Sequence, residues 1–331
     1  MDRAADGNQT ALAEFILMGF GDLHEMQILL FVLFLAVYIM TLAGNILILA
    51  IISYSRSLHT PMYFFLGNFS FLEIWYTAST TPKMLRTLLT AHEAISFFGC
   101  ITQFYFFSSM AITECFLLAV MSYDRYVAIC SPLRYMAIMN SKVCLQMAAG
   151  SWISGFLTPI LTIVLTFRLP FCASNEIDHF FCDLAPVIKL SCADAHVAKT
   201  TTFIMASVVT MVPFLLTVVS YANILSTILR VPSTMGKQKA FSTCSSHLIV
   251  VTLFYGTLGI IYAVPTASQS PGLNKMFSLL YTVITPMVNP IIYSLRNKEV
   301  KEALRKIISK RPNWLSPLVT GGQVRVHQED P

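Results

Sequence analysis

The sequence predicts an all-α membrane protein, a bundle of seven transmembrane helices followed by a short amphipathic helix. The first observation is composition: 55% of the 331 residues are hydrophobic and only 12% are charged, whereas a soluble domain is about 25% charged. The second is an uninterrupted stretch, 26–55, with no Asp, Glu, Lys or Arg, and about 20 apolar residues suffice to cross a bilayer. These observations exclude a soluble protein, a disordered chain and a small disulfide scaffold.

Each of the seven elements is an apolar run long enough to span the bilayer. A helix satisfies its own backbone hydrogen bonds in lipid, and the short alternating segments of a membrane barrel are absent from the sequence. No cleavable signal precedes the first run, so that run is expected to direct membrane insertion as well. The predicted segments, which together make up a receptor domain at 26–295, are 26–54, 61–85, 97–126, 142–165, 198–229, 239–264 and 273–295.

Orientation follows from the distribution of Lys and Arg, which accumulate on the cytoplasmic side of membrane proteins. Placing the N-terminus outside leaves 15 of the 22 Lys and Arg residues on the inner side. The sequence therefore predicts a multi-pass plasma-membrane protein with an extracellular N-terminus and a cytoplasmic C-terminus.

Two tails flank the predicted domain. The N-terminal tail, 1–25, is expected to be extracellular and carries a glycosylation sequon at Asn8. Residues 296–310 place Val300 and Leu304 at helical spacing between basic residues, which predicts an amphipathic helix on the anionic inner leaflet. The remaining tail, 311–331, is predicted to be disordered.

Four polar residues fall inside predicted spans: Asn45, Glu73, Glu114 and Asn289. A rise of ~1.5 Å per residue places them roughly 10–18 Å above the inner edge. Ionisable groups inside a bilayer are costly and are functional candidates, and two neighbouring carboxylates cannot both stay ionised without a neutralising cation or water. A bound sodium ion or a shared proton is one interpretation. An equally good one is that these groups only join the helices by hydrogen bonds.

Several motifs occur in order, each on its expected helix. With them the chain resembles the tetrapod-type odorant (olfactory) receptors, which are rhodopsin-like class A G-protein-coupled receptors. The resemblance covers about 8–308, and the family usually has Ala or a similar residue where Ser122 stands. The motifs are Gly44–Asn45, Leu58–Leu66, Met121–Cys130, Ser220–Tyr221, Lys239–Leu248 and Pro286–Asn297.

The resemblance implies a receptor that binds a small volatile odorant and activates a stimulatory, olfactory-type heterotrimeric G protein, which raises cyclic AMP. In that mechanism Arg125 pairs with Asp124 at rest and turns inward to receive the C-terminus of the G protein. The residues implied in coupling and activation are Asp124, Arg125, Tyr126, Tyr221, Lys239, His247, Asn289, Pro290 and Tyr293.

Four of the eight cysteines are expected on the outer, oxidising side: Cys100, Cys172, Cys182 and Cys192. Four cysteines allow three pairings. The family resemblance selects Cys100–Cys182 and Cys172–Cys192. His179 stands at a spacing that could ligate a soft metal, but a cysteine in a disulfide is not a ligand, so a structural role is favoured and no metal is firmly predicted.

The ligand pocket is predicted among the outer halves of the helices. The stretch Phe97–Thr113 carries no charge, as a pocket for small, neutral, mostly apolar molecules requires. Ser108, Tyr262 and Thr282 are the candidates for orienting the ligand, whereas for each apolar member ordinary helix packing is an equally good interpretation. Helical phase and the family resemblance together select Phe104, Phe107, Ser108, Ala111, Ile112, Met205, Ala206, Val209, Tyr255, Leu258, Gly259, Tyr262, Leu279 and Thr282.

Other classes of function fit less well. An intramembrane enzyme is disfavoured because Ser245, Ser246 and His247 are consecutive and point in different directions on a helix. A small-solute transporter would need a continuous polar path and an internal repeat. A non-olfactory chemosensor with the same receptor mechanism remains an alternative.

Overall fold

Seven long helices and one short C-terminal helix make up most of the computed structural model, which describes residues 14–20, 26–90, 92–171, 174–230, 232–263, 271–295 and 298–309. The helices are α1 (Gln27–Tyr54), α2 (Pro61–Thr90), α3 (Phe97–Cys130), α4 (Ser141–Phe167), α5 (His196–Arg230), α6 (Thr234–Ala263), α7 (Pro271–Leu279 and Thr285–Leu295, joined by a π-helical stretch, Leu280–Ile284) and α8 (Lys298–Ser309). Each predicted segment corresponds to one helix, so the predicted fold class is confirmed. The observed α2 continues five residues beyond its predicted end, and α3 four.

Within this part of the chain, five helices are long and apolar enough to cross a membrane by themselves, namely α1, α3, α4, α5 and the Lys275–Tyr293 part of α7. Helix α6 has a shorter apolar stretch, Cys244–Leu258. Helix α2 instead buries many polar side chains, among them Glu73 and Thr77, against its neighbours. A polar inner face lowers the hydropathy of a helix without exposing polar groups to lipid, because neighbouring helices cover that face.

Helix α3 lies at the centre of the bundle and packs against α2, α4 and α5. Its closest approach is to α4 at Gly155. A Cβ built on Gly155 would lie 1.9 Å from the Thr113 hydroxyl oxygen and 2.7 Å from the Ser109 carbonyl oxygen. Only a residue without a side chain permits this spacing, and small residues commonly bring membrane helices together in this way.

The outer end carries a three-stranded sheet that the sequence did not predict. The central strand is β1 (Glu14–Leu17), which pairs antiparallel with β2 (Glu93–Ser96) and parallel with β3 (Glu176–Ile177). Phe15 and Leu17 of β1 are fully buried. Part of the predicted N-terminal tail is therefore an ordered component of the outer end of the bundle.

Salt bridges fasten this sheet to α2. Glu93 of β2 binds Lys83 at 2.7 Å and Arg86 at 3.0 Å. Burial by itself raises the pKa of Glu93, but the hydrogen bond from Lys83 and the charges of Lys83 and Arg86 outweigh it, and the net pKa is lower than usual.

Helix α8 forms within the segment predicted to be amphipathic. Its apolar residues Val300 and Ala303 are buried against the bundle, where α8 packs on α1, α7 and the turn Arg56–Leu58. Of the stripe predicted to rest on lipid, Val300 is thus covered by protein and Leu304 is partly buried against it. The predicted glycosylation site at Asn8 and the tail 311–331 lie outside the described residues.

Candidate ligand pocket and signalling site

Three residues that the sequence placed in the pocket keep accessible surface on α3. Phe106 is exposed, while Ser108, Ala111 and Ile112 lie between roughly 140° and 240° further around the helix axis. All three are partly accessible. They therefore lie on the side of α3 away from Phe106, as the predicted pocket requires.

Phe107, also predicted in the pocket, packs into an aromatic cluster. Its ring centroid is 5.0 Å from that of Phe181, 5.3 Å from Tyr76 and 5.9 Å from Tyr281. Only 8% of Phe107 is accessible. Phe107 therefore supports one wall of the outer bundle through its packing, a role that helical phase alone could not separate from ligand contact.

The remaining predicted pocket residues come from α5, α6 and α7. Met205 and Ala206 on α5, Leu258 on α6 and Leu279 on α7 are partly accessible, whereas Val209, Tyr255 and Thr282 are buried. Tyr255 packs on Phe214 with ring centroids 5.0 Å apart. Gly259 and Tyr262 lie on α6, and the surroundings of Gly259 and the side chain of Tyr262 are outside what the structure describes.

The loop between α4 and α5 covers the end of the bundle at which the ligand pocket is predicted. The predicted disulfide Cys100–Cys182 is present, with Cα atoms 5.4 Å apart, and the Cys182 N–H donates to Gln103 Oε1 at 2.9 Å. On either side of Cys182, Phe181 packs on Phe107, and Leu184 belongs to one apolar cluster with Phe104. Cys192 is disulfide-bonded, but its predicted partner Cys172 lies outside the described residues.

His179 is a structural part of this loop. Its Nε2 atom lies 3.1 Å from Ser278 Oγ on α7, and Nδ1 accepts the Phe181 N–H at 3.4 Å. Burial, assisted by the charge of Lys275 and opposed by that of Asp178, lowers the pKa of His179 to about 3. Both ring nitrogens are engaged and Cys182 is oxidised, which agrees with the structural role favoured from the sequence. No cluster of three metal-ligating side chains occurs within the described ranges.

Three of the four polar residues predicted at mid-bundle meet. The Asn289 amide donates to Glu73 Oε1, and Glu114 lies within electrostatic range of Glu73. Glu73 Oε2, Glu114 Oε1 and Asn289 Oδ1 are buried and have no hydrogen-bond partner among the described residues. Asn45, by contrast, donates to Thr41 O of its own helix at 3.0 Å. Three unsatisfied oxygens are a donor set that suits a small hard cation.

At the inner end of α3, Asp124 and Arg125 form the predicted ion pair, with Nη2 and Nε of Arg125 at 2.6 and 3.1 Å from Asp124 Oδ2. The sequence did not predict the third member, Tyr135, whose hydroxyl donates to Asp124 Oδ1 at 2.8 Å. Both oxygens of a fully buried carboxylate are thereby satisfied.

Other predicted activation residues surround this ion pair. Tyr221 on α5 and His247 on α6 are hydrogen-bonded at 2.6 Å, Tyr126 packs in one cluster with Tyr221, and Tyr293 on α7 is buried against Phe69. Pro290 lies within α7, 3.0 Å from where a Cβ of Gly44 would stand. The side chain of Lys239 lies outside the described residues.

A seven-helix bundle with an apolar outer space and a buried Asp-Arg pair at its inner end is the architecture of a membrane receptor. The profile of the family described as "Olfactory receptor" matches residues 34–311. Similar proteins include human olfactory receptor 10A5, 52% identical over 309 residues (92% of this chain and 97% of the relative), and human olfactory receptor 11L1, 49% identical over 304 residues (92% and 94%). Mouse olfactory receptor 6B9 is 49% identical over 302 residues (91% and 96%). The chain belongs to the olfactory receptor family.

Proposed function

We propose that this olfactory receptor binds small, neutral, mostly apolar volatile molecules among α3, α5, α6 and α7, and that binding activates a stimulatory heterotrimeric G protein that raises cyclic AMP. The observation that carries the proposal is the arrangement on α3. One helix presents partly accessible Ser108, Ala111 and Ile112 inside the outer half of the bundle and the Asp124–Arg125 pair at its inner end. Ligand and G protein can therefore act on the same helix from opposite ends.

The inner site supports a two-state mechanism. In the described arrangement Asp124 binds Arg125 and also accepts a hydrogen bond from Tyr135, and Tyr221 is hydrogen-bonded to His247 across α5 and α6. A G protein that requires a free Arg125 binds only after the Asp124 contact is lost. An odorant need only bind the state with a free Arg125 more tightly than the resting state, since differential affinity is what shifts such an equilibrium.

The proposal includes the orientation predicted from the basic residues, with the N-terminus outside and the C-terminus in the cytoplasm of a plasma-membrane receptor. It is supported by the disulfide Cys100–Cys182 at the end of the bundle that would face outward, because disulfides persist in oxidising surroundings. Antibody binding to epitope tags at the two termini of the receptor in intact cells tests the orientation directly: only the N-terminal tag should be reached.

The test of coupling is Arg125→Ala in cells that report cyclic AMP and co-express an olfactory-type stimulatory G protein. Its matched control is Arg134→Ala, since Arg134 is exposed and lies in the neighbouring turn Pro132–Arg134. We expect Arg125→Ala to abolish basal and odorant-induced signalling at normal surface density, and Arg134→Ala to leave them within about twofold, as is usual for an exposed side chain. Equal signalling by the two variants refutes the coupling role of Arg125.

A cation or a shared proton at Glu73, Glu114 and Asn289 belongs to the same proposal. The three unpartnered oxygens support a sodium ion, which would neutralise the two carboxylates and favour the resting state. Sodium titration of purified receptor and of its Glu114→Gln variant separates the alternatives. We expect sodium to raise the melting temperature of the wild type and not of the variant. Identical sodium responses exclude the ion and leave a shared proton or hydrogen bonds that only join the helices.

A further inference from the structure

The loop between α4 and α5 contains a carboxylate, Asp183, that has no part in the proposed mechanism. Asp183 lies between Cys182, bonded to α3, and Leu184, packed on Phe104. It is also within electrostatic range of Tyr281 on α7. Asp183 thus lies in this loop between two residues that contact α3, and near α7.

The carboxylate of Asp183 is incompletely satisfied. Oδ1 accepts the Leu184 N–H at 2.7 Å, and within the described ranges the side chain forms no ion pair and no other hydrogen bond. Two other acids at this end are paired with cations, Glu93 with Lys83 and Asp178 with Lys275. Burial raises the pKa of Asp183, yet the residue keeps accessible surface.

Three described hydroxyl groups near the predicted pocket have their protons committed elsewhere. Ser108 donates to Phe104 O at 2.6 Å, and Thr282 donates to Ser278 O at 2.7 Å. The Tyr281 hydroxyl donates to Ser278 Oγ at 3.0 Å. A hydroxyl has one proton and two lone pairs, so these groups can offer a ligand only acceptor sites.

From these two observations we infer that Asp183 faces the ligand and is the specificity-determining acceptor, so that the pocket selects ligands that carry an O–H or N–H donor. The inference deepens the proposed function and rests on it for the location of the ligand. Alcohols are the neutral volatile class that fits. Their isomeric ethers fill the same volume but leave the Asp183 oxygen without a partner in a dry site, which costs binding free energy.

The test compares medium-chain primary alcohols with their isomeric methyl ethers. Binding is measured as the thermal shift of purified receptor, which needs no G protein, and signalling as cyclic AMP at equal surface density. The variants are Asp183→Asn, whose Oδ1 can still accept from Leu184 N–H, and the control Glu176→Gln, which changes an exposed acid in the same loop. A hydrogen bond to a charged acceptor corresponds to a preference of about tenfold or more.

We expect the wild type and Glu176→Gln to prefer the alcohol by that factor, and Asp183→Asn to lose most of the preference while still binding the ether. A variant that merely misfolds would lose both ligands equally, and alcohol preference unchanged in Asp183→Asn would overturn the inference. The inference is also overturned if the wild type binds ethers as tightly as alcohols, or if it binds none of the alcohols in the series. Thermal shifts without any cyclic AMP response would instead count against the proposed coupling.

Discussion

Gly155 sets the distance between α3 and α4, and Gly155→Ala is the sharpest test of the bundle's packing. The new Cβ would lie 1.9 Å from Thr113 Oγ1 and 2.7 Å from Ser109 O, whereas ordinary contact begins at 3.4 Å. Rotating Thr113 could relieve the first clash but would break its 2.8 Å hydrogen bond to Ser109 O. The second clash is with backbone, so α4 must move away from α3.

The expected cost follows from these two clashes. Losing the Thr113 bond in a buried site costs ~1–3 kcal/mol, overpacking costs ~1–3 kcal/mol, and replacing a helical Gly by Ala returns about 1 kcal/mol. The net loss is about 3 kcal/mol, or roughly a hundredfold in the folded-to-unfolded ratio. Gly150→Ala, on the same helix with nothing within 4 Å of its Cβ, should gain up to about 1 kcal/mol.

Thermal unfolding of purified receptor and surface expression measure the difference. We expect Gly155→Ala to melt well below the wild type, and Gly150→Ala to melt at or above it. Thr113→Ala in the Gly155→Ala background should restore part of the loss, since it removes the 1.9 Å contact and leaves the one to Ser109 O. Equal melting temperatures for the two Gly→Ala variants would contradict the close approach of α3 and α4.

Two further predictions concern the ends of the bundle. Tyr135→Phe removes the 2.8 Å hydrogen bond to Asp124 and should raise basal cyclic AMP about twofold to tenfold, the range of a net hydrogen bond of ~0.5–1.5 kcal/mol. The exposed control Tyr54→Phe should leave the basal level unchanged. An unchanged basal level in Tyr135→Phe would show that Tyr135 does not stabilise the resting state. His179 has a pKa of about 3 in the folded receptor and about 6.5 when unfolded, so below pH 6.5 the unfolded chain binds a proton that the folded chain does not. Stability should therefore fall as the pH drops from 6.5 towards 3, with a slope approaching about 1.4 kcal/mol per pH unit. Between pH 6.5 and 5 the slope should be smaller in His179→Gln, and equal slopes would show that His179 is not buried as a neutral imidazole.

The helices could be predicted because the bilayer imposes a simple rule on the sequence. Long apolar runs with few charges had to span the membrane, and seven such runs predicted seven helices. The inner ion pair could also be predicted, since Asp124 and Arg125 are adjacent at the end of an apolar run.

Other features depend on contacts between distant segments and left no local signal. Strand β1 has only four residues, Glu-Phe-Ile-Leu. It pairs with β2 and β3, which are distant in sequence, so the pairing depends on how the folded chain brings the three strands together. Phe107 and Ser108 are neighbours in sequence, yet Phe107 packs among aromatic rings whereas Ser108 is partly accessible. Tyr135 binds Asp124 from a separate short helix, Tyr135–Ile138, which no spacing rule within α3 could indicate.

The measurement that tests the central claim most directly is nucleotide exchange on a purified stimulatory G protein by the purified receptor in lipid vesicles. The account predicts that an activating volatile alcohol accelerates exchange with wild-type receptor and has no effect with Arg125→Ala, although both bind the alcohol. Acceleration of equal size by the two proteins would contradict a mechanism in which Arg125 receives the G protein.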